Sequence, residues 1–213
     1  MQESCVRPVT FGRGFYFLQE VMGVSSNKRL IRLCQASCLA ALALVLVYFI
    51  HFPLIPAAPF LEYDMADVPV LLVTVLFGPL WGLATLTVVS LVQAFVLGGN
   101  GWVGAVMHTV ASGALVLIVG AFTHRSVRPW RLIIGLLLGT LAMAAVMVPM
   151  NLTLTVYFLG TPREAVIQML LPAILPFNLL KAGINSALTA VVYMALNPLL
   201  RRQQNILGVE KEI

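Results

Sequence analysis

Long apolar runs, separated by short polar punctuation, make up most of this chain between Leu30 and Leu200. A helix of about 20 apolar residues is long enough to cross the ~30 Å hydrocarbon layer of a bilayer. The first such run, Leu30 to Ile50, predicts a spanning helix. The segment after it, His51 to Asp67, holds Pro53, Pro56 and Pro59 and the acids Glu62, Asp64 and Asp67, and prolines this dense exclude a continuous helix. From Val68 to Leu97 no charge occurs. As one helix that stretch would reach about 45 Å, too long for a single crossing. Gly78 to Gly82 (GPLWG) breaks it, predicting a short second helix, Val68 to Phe77, and a third, Leu80 to Leu97. Gly98 to Gly101 (GGNG) is a turn, and the fourth span runs from Trp102 to Phe122. After the basic loop His124 to Arg131 comes the fifth, Leu132 to Tyr157, with Pro149 as a kink. Gly160 to Glu164 opens a connection with a short interfacial helix, and the sixth span begins near Pro172 or Pro176 and ends before Asn197 and Pro198.

The fold class expected is therefore an all-α membrane protein: six transmembrane helices with a short second one, both termini on one side. Its parts are an N-terminal lead over 1–29, a membrane domain over 30–200 and a tail over 201–213. Composition agrees, with 60% hydrophobic residues and only 10% charged ones. The net charge of +5 invites a nucleic-acid reading, but its distribution argues against one. Of thirteen Lys and Arg residues, all but Arg163 and Lys181 fall in the lead, the opening turn of the first span (Arg32), the 124–131 loop or the tail. Those segments share a side under this topology, and the positive-inside rule makes that side cytoplasmic. Residues 1–29 show no secretory cleavage pattern. Cys5, Cys34 and Cys38 make no CxxC or metal-ligand spacing, so neither a metal nor a cofactor is expected.

Candidate chemistry concentrates in the last span. Lys181 lies inside an apolar stretch, with Asn178 three residues before it and Asn185 four after, so all three share one stripe of a helix. An ionisable group within a span points to a functional site. The bland alternative is a lysine that snorkels to the interface. Asn151, near the outer end of the fifth span, lies at a similar depth. Buried amides need partners, so these groups form either a structural network or a polar-lined pocket opening outward. Phe60, Tyr63, Trp102, Tyr157 and Phe177 near that level would give it aromatic walls, and the proline-rich loop is long enough to cover it. Ala36 and Ala40 form a small-xxx-small pair that lets another helix approach closely. Catalysis finds little support: His51, His108 and His124 are scattered, and neither a nucleophile motif nor a phosphate-binding loop occurs. Uphill transport driven by ATP would need another subunit to supply the ATPase.

Three segments carry a family resemblance: Phe60 to Pro69 (FLEYDMADVP), Leu76 to Leu80 (LFGPL) and, above all, Phe177 to Asn185 (FNLLKAGIN). They resemble the substrate-binding S components of energy-coupling factor (ECF) transporters, with the riboflavin-specific branch most similar. The resemblance implies a six-helix bundle that takes a vitamin from outside and docks on a transmembrane scaffold subunit carrying two cytoplasmic ATPases. By the same resemblance, Asn178, Lys181 and Asn185 with Asn151 would bind riboflavin. Leu61, Tyr63 and Asp67 belong to the segment matching the lid, and Ala36 and Ala40 match the scaffold-facing AxxxA. Glu62 and the pair Met65 and Ala66 depart from the family's usual lid residues. The alternatives are an S component for another vitamin or precursor, or an autonomous secondary transporter in the cell membrane. Absent internal repeats weigh against the latter.

Overall fold

In the computed structural model, the described residues are 28–55, 61–97, 101–124 and 127–207. The lead 1–27, Phe60 and the end of the tail lie outside them. By contacts the chain divides into 1–35 and 36–213. Among the described residues the first unit holds only Lys28–Gln35, the opening turns of the first helix, and every other element belongs to the second.

The helices are α1 (Lys28–Phe49), α2 (Asp67–Phe77), α3 (Pro79–Val96), α4 (Gly101–Thr123), α5 (Pro129–Met150), α6 (Val156–Leu159), α7 (Arg163–Met169) and α8 (Leu175–Leu207). Among the described residues five helical stretches are long and apolar enough to cross a membrane: Arg29–Phe49, Pro79–Val96, Gly101–Thr123, Pro129–Phe158 and Arg163–Pro198. The chain is mostly helical and multi-pass. α2, with 11 residues, reaches only about 16 Å and is buried along most of its length. A strongly apolar helix too short to span is stabilised by protein on all sides. Gly78, at φ 102°, turns the chain between α2 and α3, a conformation that favours glycine, and Pro79 then starts α3 where its missing N–H is harmless.

Three sequence expectations need correction. The His51–Asp67 segment is not wholly irregular: β1 (His51–Pro53) pairs antiparallel with β2 (Glu62–Asp64), placing His51 opposite Asp64 and Phe52 opposite Tyr63. Short stretches beside prolines can still pair as strands, so the mostly helical fold carries one small hairpin. Second, the fifth helix does not simply kink at Pro149 but widens into a π-helical turn, Asn151–Thr155, before α6. The proline cannot donate to the ladder, and side chains take carbonyls there: Asn151 Nδ2 donates to Met147 O (2.8 Å) and Thr153 Oγ1 to Pro149 O (2.8 Å). Third, the last helix begins at Leu175, beside Pro176 as expected, but does not stop before Asn197. α7 runs through a second π-helical turn, Leu170–Ile174, into α8, which continues past Pro198 to Leu207. Pro172 falls within the widened turn and Pro176 in the first turn of α8, where few ladder bonds are lost. Beyond Pro198 the Leu, Arg and Gln residues favour helix.

Two apolar clusters make the core. The larger joins α1 (Ala43, Val47), α2, α3, α4, α5 and α8 (Ala182, Tyr193). The smaller joins Leu61 and Tyr63 of the hairpin segment to Val166, Ala173, Ile174 and Phe177. Glycines let the helices close: a Cβ on Gly139 would sit 2.5 Å from Leu115 Cδ1 and 3.2 Å from its carbonyl oxygen.

Candidate substrate-binding site

Between the two clusters lies a cavity of about 230 Å³, bordered by Leu61 and Phe177 of the smaller and by Ala111 and Met143 of the larger. The hairpin contributes His51, Leu61, Glu62 and Asp64; α3 contributes Ser90, Gln93 and Ala94; α4 contributes Met107, His108 and Ala111. From α5 and its π-helical turn come Met143, Met147, Asn151 and Thr155, and from α8 Phe177, Asn178 and Lys181.

The α8 stripe is buried along its length: Asn178 is 1% exposed, Lys181 8% and Asn185 0%. A lysine so placed needs a counter-charge, and the hairpin provides it. Lys181 Nζ donates to Asp64 Oδ2 at 2.7 Å. The same oxygen accepts from Gln93 Nε2 at 3.0 Å, while Asp64 Oδ1 accepts from the backbone N–H of Ala66 at 3.0 Å. Burial by itself would push the Asp64 carboxyl up; the Lys181 ammonium, with His108 beside it, holds it below the usual carboxylate range. Asn185 ties the hairpin down further, donating through Nδ2 to Asp64 O (3.1 Å) and Asp67 Oδ2 (3.3 Å) and accepting from Tyr63 OH (2.9 Å). Burial, reinforced by the neighbouring Asp64, raises the Tyr63 phenol above its usual value, so it remains a donor. His108 connects α4 to this set, with Nε2 3.3 Å from Asp67 Oδ1 and Nδ1 3.1 Å from Ser90 Oγ.

The residues singled out from sequence thus fall into two layers. Asn151, Asn178, Lys181 and Leu61 line the cavity. Tyr63, Asp67 and Asn185 stand behind it, in the hydrogen bonds that fix the hairpin to α8. The aromatic walls are largely replaced by thioethers. Phe177 lines the cavity, but Tyr63 is turned into the network, Tyr157 is exposed, and Trp102 packs edge-on against Phe158 with ring centroids 4.8 Å apart. Flexible Met107, Met143 and Met147 make an adaptable apolar surface. Ala36 is buried and Ala40 half-buried, and Ala40 packs against the larger cluster beside Ala43 and Val47.

Sequence reasoning missed Asp64, Gln93, Ser90 and His108 as parts of the site. Asp64 had a signal: a cation within a span demands an anion, and the acids of the 51–67 segment are the nearest supply. Gln93 and Ser90 had none, since single polar residues on an otherwise apolar helix carry no address.

The substrate-specific component of ECF transporters is the family whose profile matches residues 32–193. The riboflavin transporter RibU of Staphylococcus aureus is 30% identical over 192 residues, covering 85% of this chain and 96% of the relative. The riboflavin transporter FmnP of Bacillus subtilis is 28% identical over 184 residues, covering 82% and 96%. A solved S component of a bacterial ECF transporter superposes with a TM-score of 0.69 at 31% identity, covering 81% of this chain and 98% of the other.

Proposed function

The chain belongs to the substrate-specific components of ECF transporters, and from that premise we propose that it captures riboflavin from outside the cell and delivers it to an ATP-driven importer. Its relatives are transporters, not enzymes, and several apolar helices embed it in the cell membrane. The observation that carries the ligand assignment is the cavity itself. Asn151, Asn178 and Lys181 converge there from two helices, against a wall of methionines and Phe177. A flat heteroaromatic ring fits an apolar wall, and carbonyls and hydroxyls fit a few fixed polar groups.

In this reading Asn151, Asn178 and Lys181 contact the flavin with Leu61, while Tyr63, Asp67 and Asn185 hold the hairpin over it. Lys181 keeps hydrogen atoms beyond the one given to Asp64. The ammonium is thereby anchored, and a neutral ligand can accept from it without leaving a bare charge. The chain passes through the membrane six times, the short α2 carrying the second pass only part of the way, with both termini cytoplasmic. Ala36 and Ala40 offer a close-approach face to a transmembrane scaffold subunit, which carries the two ATPases this chain lacks. The test is the visible absorption spectrum of protein purified from riboflavin-fed cells. Flavin bands at near-stoichiometric amounts are expected, and protein that stays colourless and takes up no added riboflavin would remove riboflavin as the ligand.

A further inference from the structure

We propose that Gln93 is a specificity-determining residue of this site, presenting one carbonyl oxygen to an N–H or O–H donor of the ligand. The inference rests on the flavin reading and deepens it. An ionised carboxylate only accepts hydrogen bonds. Lys181 Nζ lies 2.7 Å from Asp64 Oδ2, so that oxygen is charged, and the Gln93 atom 3.0 Å from it must be the amide nitrogen. The orientation of the Gln93 amide is therefore fixed by chemistry, and its Oε1 is directed away from Asp64.

That oxygen is buried and has no hydrogen-bond partner among the described residues. The nearby donors are engaged elsewhere: Asn185 on Asp64 and Asp67, Tyr63 on Asn185, His108 with Asp67 and Ser90. Satisfying Oε1 from those groups would break one of those bonds, and Lys181, which keeps hydrogens beyond the one given to Asp64, makes no bond to it. Buried acceptors are almost always paired, and this one belongs to a side chain that lines the cavity. The terminal torsion of glutamine is soft, so the amide can follow a donor pressed against the wall while its nitrogen stays near Asp64. A flavin carries donors of both kinds, an imide N–H on the ring and hydroxyls on the ribityl chain. A site with a fixed unpaired acceptor rejects an analogue that lacks the matching donor.

Three ligands test this by fluorescence titration: riboflavin, 3-methylriboflavin (no imide N–H) and lumiflavin (no ribityl hydroxyls). Gln93→Met keeps the length of the side chain without its acceptor. Gln93→Glu keeps the acceptor, because a second carboxyl beside ionised Asp64 stays protonated, donates to it and leaves a carbonyl oxygen free. Wild type should prefer riboflavin over one analogue, Gln93→Met should shrink that preference about tenfold, and Gln93→Glu should keep most of it. The analogue affected tells whether the imide or a hydroxyl is the donor. If wild type binds riboflavin and Gln93→Met leaves both preferences unchanged, the proposal falls and the flavin reading stands. If wild type binds no flavin, both fall. Should Gln93→Met not fold, the proposal still fails if wild type binds all three ligands equally or Gln93→Glu loses the preference.

Discussion

At the residue scale, Lys181 is legible from sequence but its partner is not. A lysine without a counter-charge could be removed at little cost to folding; in the structure it is one half of a buried pair with Asp64. Removing one partner of such a pair costs about 3–5 kcal/mol, because the other charge stays buried alone. Lys181→Ala should therefore lower the thermal midpoint in detergent as well as weaken the ligand, whereas Asp64→Leu with Lys181→Met should recover much of the stability. A single lysine variant as stable as wild type would contradict the pairing. The same bond sets a pH dependence. Because the Asp64 carboxyl is held below its ordinary value, its contribution is fully present above about pH 4 and is lost as pH falls through the lowered value. Melting should be nearly flat from about pH 8 to 5 and decline in more acid solution, and Asp64→Asn should flatten that decline. Asp64 escaped the sequence reading because Glu62, Asp64 and Asp67 share one segment and nothing in it tells which of the three meets Lys181.

At the element scale, the apolar runs between Leu30 and Phe122 predicted their helices to within about two residues, since charge and the GPLWG and GGNG breaks mark their ends. The later runs misled. Pro149 read as a kink and Pro172, Pro176 and Pro198 as boundaries; a π-helical turn follows Pro149, a second holds Pro172, α8 does begin beside Pro176, and it continues past Pro198. A proline states that one hydrogen bond is missing; whether the helix ends there depends on neighbours that replace it. Close packing supplies the test at this scale. Gly139 meets Leu115 at its backbone as well as its side chain, so neither helix can yield locally. Gly139→Val should cost about 1–3 kcal/mol, in the range of overpacking, measured as a loss of thermal midpoint. Gly183, whose Cβ would meet nothing within 4 Å, should accept Ala with little change.

At the scale of the whole molecule, the proposed orientation rests on the basic residues and the proposed ligand site on the cavity between the two core clusters. By sequence, Arg125, Arg128 and Arg131 lie in or beside the α4–α5 connection, and Arg163 opens α7. In a cysteine-free background, a single cysteine at Thr161 should react with a membrane-impermeant reagent on intact cells and one at Arg128 should not; labelling at 128 would reverse the topology. Ala36 and Ala40 separate docking from capture. Ala40→Leu should abolish uptake by the assembled transporter while leaving riboflavin binding by the isolated subunit within a fewfold of wild type. Joint loss would assign the pair to internal packing, where Ala36 already lies buried. The capture of riboflavin by Asn178 and Lys181 is the claim on which the others depend, and titration of riboflavin fluorescence against wild-type protein and Lys181→Met tests it most directly. A charge-assisted hydrogen bond contributes about 1.5–3 kcal/mol, so saturable quenching by wild type and binding roughly ten- to a hundredfold weaker in the variant are predicted. Equal affinity in both proteins, or no quenching by wild type, would contradict the account.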